Sequence, residues 1–112
     1  MKIAVIGSRS IKSANISEYI PKEATHIITG GAVGVDRLAE YEAKRRGISL
    51  TVFKPDYDTH GKAAPLVRNK LIAKECDMLI AFWDGSSRGT VFTWRYAQEI
   101  GKPVKIYRII KR

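Results

Sequence analysis

The chain carries one cysteine, Cys76, in 112 residues. No internal disulfide can staple it, and no cysteine-only metal site can form. That excludes the disulfide scaffolds of small secreted proteins and points to a reducing, cytoplasmic setting. Cys76 falls in a helix-like pattern, where a small buried hydrophobe is expected rather than a nucleophile. Long apolar runs are missing too. None approaches the roughly 18 residues of a membrane-spanning helix, so no membrane partner is expected. The run from Met1 to Ile6 is too short for a signal peptide, and no small-residue cleavage site follows it. Linkers, repeats and low-complexity segments are absent. Histidine is scarce: His26 reads as a strand-edge residue and His60 as a loop hydrogen-bonder. Asp56 and Asp58 lack a matching His or third acid, so no metal site is expected.

Acidic residues are also few. Eleven Asp and Glu face 20 Lys and Arg, for a net charge of +9. Such a charge favours polyanionic partners and speeds encounter with phosphates, without choosing between a nucleic acid and a small nucleotide. The basic residues are spread along the chain, except for Lys102, Lys105, Arg108, Lys111 and Arg112 near the carboxyl end. Residues 1–106 read as one domain and 107–112 as a basic tail.

Hydrophobic residues make up 45% of the chain, enough for a packed core. Ile3–Ile6, Ile27–Ile28, Leu50–Phe53, Met78–Phe82 and Val104–Ile106 are brief apolar or β-branched runs bounded by Gly, Asp or Pro, the pattern of buried strands. The first and fourth are apolar throughout, as in parallel strands covered on both faces. Helical segments lie between them. Asn15 to Ile20 stops before Pro21. Val35 to Arg46 ends on Lys44-Arg45-Arg46 and Gly47, a basic last turn with a C′ glycine. Pro65 to Glu75 opens with a first-turn proline. Thr90 to Ile100 ends at Gly101. Strict β-α alternation predicts a single Rossmann-like α/β domain of three layers, with a mainly parallel five-stranded sheet.

In such a sheet, ligands bind beyond the carboxyl ends of the strands, where the strand order switches. The unusual residues fall in those loops. Gly7-Ser8-Arg9-Ser10 follows the first strand, and Gly30, Gly31 and Gly34 with Asp36 and Arg37 follow the second. The stretch Lys54 to Ala64, with Lys62, follows the third and leads to Arg68 and Asn69. Trp83 to Thr90, with Asp84, Gly85, Arg88 and Gly89, follows the fourth. Glycines before a helix start let an anion approach unpaired N–H groups. Two such loops, Gly30 to Asp36 and Gly85 to Thr90, are expected to bind phosphate, with Thr90 as helix N-cap or phosphate ligand. Arg9, Arg68 and Arg88 can pair with phosphate through two N–H groups at once. Asp36 complements the dipole of its helix or accepts from ribose hydroxyls. Neither the dinucleotide GxGxxG spacing nor a Walker A motif is present.

Ile6-Gly7-Ser8-Arg9, the stretch Thr29 to Ala39 (TGGAVGVDRLA), Gly61-Lys62-Ala63-Ala64 with Arg68-Asn69, Ala81-Phe82, and Gly89-Thr90 before Gly101-Lys102-Pro103-Val104 resemble the YspA-type branch of the SLOG superfamily. That superfamily also holds the Lonely Guy phosphoribohydrolases, the DNA-processing protein DprA and sensors of nucleotide signals. The resemblance implies a Rossmann-like fold, a nucleotide-type ligand of the ADP-ribose or NAD kind, and a homodimer. It carries ligand loops onto Gly7–Arg9, Gly30–Arg37, Arg68 with Asn69, and Gly89 with Thr90. The phosphoribohydrolases use PGGxGTxxE; here Thr93 replaces that Glu, and Thr93 is neither an acid nor a base.

Three readings follow. The first is a sensor or binding domain for a phosphorylated nucleotide, with no cofactor required. The second is a hydrolase of a nucleotide N-glycosidic or phosphate bond, with Asp36 or Asp84 as the catalytic candidate. The third is a single-stranded nucleic-acid binder, in which stacking aromatics are expected beside basic residues. Trp83 and Trp94 are candidates for that stacking, but core packing is the better expectation for both.

Overall fold

The structure, a computed structural model, describes residues 1–110. Five strands form one sheet: β1 (Lys2–Gly7), β2 (His26–Thr29), β3 (Ser49–Val52), β4 (Met78–Trp83) and β5 (Val104–Arg108). All pairings are parallel, in the order β3-β2-β1-β4-β5. Three helices of twelve residues connect them: α1 (Val35–Arg46), α3 (Ala64–Glu75) and α4 (Arg88–Glu99). A four-residue helix, α2 (Tyr57–His60), lies in the loop after β3. The fold is Rossmann-like, a single α/β domain.

Side-chain alternation on the central strands builds both cores. Ile3, Val5, Ile27, Ile80 and Phe82 pack with Val35, Ala39 and Ala43 of α1 on one face. Ala4, Ile6, Ile28, Leu79 and Ala81 pack with Ile72 and Ala73 of α3 and Ala97 of α4 on the other. Fully burying one such Ile or Phe stabilises the fold by about 1.5–3 kcal/mol. The chain runs outward from β1 through β2 to β3, then returns through α3 to place β4 on the other side of β1. The switch in strand order therefore lies between β1 and β4.

Four expectations are corrected. The connection from β1 to β2 holds only one 3-10 turn, Ser17–Tyr19, because Pro21 ends it. Helix α4 begins at Arg88, so Gly89 lies inside its first turn. Its cap is Ser87, whose side chain accepts from the Thr90 N–H, and not Thr90. The strand β5 continues to Arg108, so the basic tail does not begin at 107. Tyr107 stacks against Phe82 at 5.7 Å and meets Tyr19 at a tilt at 4.5 Å, and the Ile109 N–H donates to the Trp83 carbonyl. Positions 111 and 112 lie outside the described residues.

Candidate ligand cavity at the strand switch

A cavity of about 480 Å³ opens at the carboxyl ends of β1 and β4. Gly7, Arg9 and Ser10 line it from the β1 loop, and Ala32 and Asp36 from the start of α1. Arg68, Asn69 and Ile72 reach it from α3, and Asp84, Ser87, Gly89, Thr90 and Thr93 from β4 and α4. Residues of the β1 loop, the β2–α1 connection, α3 and the β4–α4 connection thus meet at one place.

Arg68 is 8% exposed. Its Nε donates to the Asn69 side-chain oxygen at 2.7 Å, and its Nη1 to the carbonyls of Gly30 and Phe53. Those bonds fix the guanidinium plane, and among the described residues Nη2 meets no protein acceptor. Burial lowers its proton affinity, and the charge of Asp36 partly restores it. Asp36, also buried, accepts from the Ala32 N–H at 3.1 Å. Burial raises its carboxyl above the ordinary range, against the lowering effects of Ala32, Thr29, Arg68 and Gly30. No ion pair joins Asp36 to Arg68; among the described residues the ion pairs are those of Glu42 with Arg45 and Arg46. A buried acid and arginine left unpaired at a cavity are suited to face a ligand.

Asp84 is arranged differently. One carboxylate oxygen accepts from the Ser10 hydroxyl at 2.7 Å, and the other from the N–H groups of Ser86 and Ser87. These donors, the Ser10 hydroxyl foremost, hold the Asp84 carboxyl well below the usual range. The Asp84 N–H in turn donates to the Ser8 hydroxyl. Asp84 therefore ties the β1 loop to the β4 loop and sets Ser87 to cap α4. With the cap serving Thr90, the first-turn N–H groups of Arg88 and Gly89 have no intrahelical acceptor. They supply two donors and the positive end of the helix dipole.

The cavity brings together Gly7, Arg9, Asp36, Arg68, Asn69, Asp84, Gly89 and Thr90 of the expected site residues. It leaves out Ser8, which is fully buried and holds Asp84. Gly30, Gly31 and Gly34 are also left out, because neighbouring atoms occupy the space beside them. A Cβ on Gly30 would stand 2.7 Å from Arg68 Nη1. On Gly34, where φ is +81°, it would stand 2.6 Å from the Ser8 carbonyl oxygen. The first glycine loop thus lets backbone and arginine pack closely, and the first turn of α4 lines the cavity through Gly89 and Thr90. Gly85 packs under the Arg108 side chain, Arg37 and Lys62 are exposed elsewhere, and Arg88 lines a neighbouring groove. Thr93 lines the cavity wall, its hydroxyl donating to the Gly89 carbonyl.

Sequence reasoning missed Ser10 and Ser87 as site-forming residues. Their signal was the serine spacing around Asp84, which reads as ordinary loop chemistry until β1 and β4 are placed side by side. Trp83 and Trp94 meet edge to face at 5.2 Å. Cys76 is buried, and burial raises its thiol further from ionisation. No three His, Cys, Asp or Glu side chains converge on a metal position among the described residues. No helix among them is long and apolar enough to cross a membrane.

The fold is similar to that of DNA processing protein A from Helicobacter pylori, whose structure was described for its single-stranded DNA binding mode. The two superpose with a TM-score of 0.71 at 24% identity, over 95% of this chain and 64% of that protein. This chain therefore spans less than two thirds of that protein's length, and at this identity the likeness establishes the fold. No family model and no curated protein matches the sequence.

Proposed function

We propose that the cavity binds the phosphate of a nucleotide unit. The observation that carries this reading is the buried Arg68, fixed by three protein acceptors, lining the same cavity as Gly89 in the uncapped first turn of α4. Charge-assisted bonds from a preoriented guanidinium are among the stronger polar contacts available to a phosphate. Arg9 adds a second cation, and Asp36 is placed to accept from a sugar hydroxyl. A volume of about 480 Å³ suits a nucleotide-sized molecule. Within this reading the ligand is a free nucleotide of the ADP-ribose or NAD kind, as the resemblance to the YspA-type SLOG proteins suggests, and the domain is a sensor or binding module.

A second reading makes the nucleotide part of a single strand. The net charge of +9 and the fold shared with a DNA-binding protein support it, and the shared fold favours it over the free nucleotide. Hydrolysis has the least support. Thr93 is no base, and the Asp84 carboxylate is occupied by four donor groups of Ser10, Ser86 and Ser87.

A thermal-shift panel separates the readings. Ligand at about 100 times its Kd should stabilise the fold by about 2.7 kcal/mol. ADP-ribose, NAD, mononucleotides and short DNA oligonucleotides form the panel. Stabilisation by any of them, lost in Arg68→Gln, supports the cavity. No shift with the whole panel contradicts it.

A further inference from the structure

A second concavity of about 590 Å³ lies on the outer side of α4. Lys70, Arg88, Val91, Phe92, Arg95, Tyr96 and Glu99 line it with Ser86. Arg88, Phe92, Arg95 and Glu99 follow one another at three- and four-residue steps, so they form one stripe along the helix. Two rings and Val91 line it together with three cations and one acid. The Lys70 ammonium sits 5.4 Å from the Tyr96 ring centre. None of the four stripe residues lines the strand-switch cavity.

The groove and the cavity share their wall. Ser87, Gly89, Thr90 and Thr93 face the cavity, while Ser86, Arg88, Val91 and Phe92 face the groove. On α3, Asn69 faces one and Lys70 the other. A chain leaving the cavity over the first turn of α4 would enter the groove directly. The groove runs beside a helix about 18 Å long, room for several phosphates. Cations along a rim with aromatic rings between them are what a single strand requires, because phosphates take the charges and base faces take the rings.

We infer that the α3–α4 groove is the continuation of the cavity and holds the next nucleotides of a single-stranded DNA. Phe92 stacks a base, Tyr96 holds the Lys70 ammonium over its ring, and Lys70, Arg88 and Arg95 hold phosphates. The inference rests on the reading of the cavity as a phosphate site.

The test compares thymidine 5′-monophosphate with a fluorescein-labelled oligothymidylate of about ten nucleotides, within the usual site size of such surfaces. The full chain is used as wild type, as Phe92→Leu with Arg95→Gln, and as Arg68→Gln. The expected result is an oligonucleotide bound at least tenfold tighter than the monophosphate. The groove variant should lose that advantage and keep monophosphate affinity, with a shallower salt dependence. Arg68→Gln should weaken both ligands. Monophosphate binding without any gain from the longer strand overturns the groove while leaving the cavity standing. No binding of either ligand overturns both. Self-association weakened by the groove variant, with oligonucleotide affinity unchanged, overturns the inference in favour of a second copy of the chain. A melting curve for the groove variant guards against misfolding; if it is unfolded, Arg95→Gln alone, on an exposed position, carries the same comparison.

Discussion

An acid–arginine cluster lies at each end of α1, one within the helix and one shared with α3, and the two are built differently. Near its carboxyl end, Glu42 accepts from Ser17, Arg45 and Arg46, and Arg46 also donates to the carbonyls of Ser17, Ile20 and Pro21. Every group has a partner, and the carboxyl is held at about 2, first by Arg45. At its amino end, Asp36 and Arg68 are both buried and hydrogen-bonded but no ion pair joins them, the acid raised and the arginine lowered by burial. The first cluster clamps the β1–β2 connection onto α1. The second, in the proposed reading, keeps its polarity for a ligand. An acid and arginines bonded to one another act as a structural clamp, whereas a buried acid and arginine not joined to each other beside a cavity are candidates for a site.

The largest expected effect breaks the clamp. Glu42→Ala leaves two arginines without their acid and should destabilise the fold by about 3 kcal/mol. Urea denaturation measures this, and ligand affinity below the melting transition should be unchanged. Next comes the glycine contrast. Gly34→Ala puts a Cβ into the Ser8 carbonyl at positive φ and should destabilise by about 2 kcal/mol. Gly89→Ala meets no atom within 4 Å, so stability should be equal or up to about 1 kcal/mol higher. Equal stability losses at both glycines would remove the distinction between packing and ligand loops. Arg68→Lys keeps the charge but loses the planar fork, and should weaken a phosphate ligand about tenfold in calorimetry.

The smallest effects come from pH. The Glu42 carboxyl lies at about 2 when folded, against an ordinary 4.5. Its stabilisation is therefore full above about pH 4.5 and is lost as pH falls toward 2. Asp36 has the opposite sign: raised on folding, it favours the fold in acid, and that contribution is lost as pH rises through its folded value. Denaturation across a pH series should show Glu42→Gln removing the acid-side loss and Asp36→Asn removing the alkaline-side loss. A bound anion should favour protonated Asp36. Affinity for a ligand without a phosphomonoester, whose own second pKa is about 6, should fall as pH rises. A pH-independent affinity would place the anion away from Asp36.

The sheet was legible because β1 and β4 are apolar throughout and α1 ends in Lys44-Arg45-Arg46-Gly47. Local pattern alone sets those elements. The cavity was legible as a set of loops, since parallel topology gathers them at one edge. What stayed hidden depends on neighbours far apart in sequence. Gly30, Gly31 and Gly34 read as an anion loop, yet Arg68, Val52 and Ser8 occupy the space beside them. Asp84 reads as a catalytic candidate, yet Ser10, 74 residues away, helps hold it ionised. Tyr107 and Arg108 read as tail because their partners Phe82 and Trp83 belong to another strand.

An amide-resolved NMR titration of the ¹⁵N-labelled chain with ADP-ribose, and separately with oligothymidylate, tests the cavity most directly. The N–H signals of Arg88, Gly89 and Thr90 and the Arg68 Nε–H should move together at saturation, while those of Glu42, Arg45 and Arg46 stay in place. Shifts confined to the Gly30–Arg37 loop, or no shifts with either ligand, would contradict a phosphate site at the start of α4.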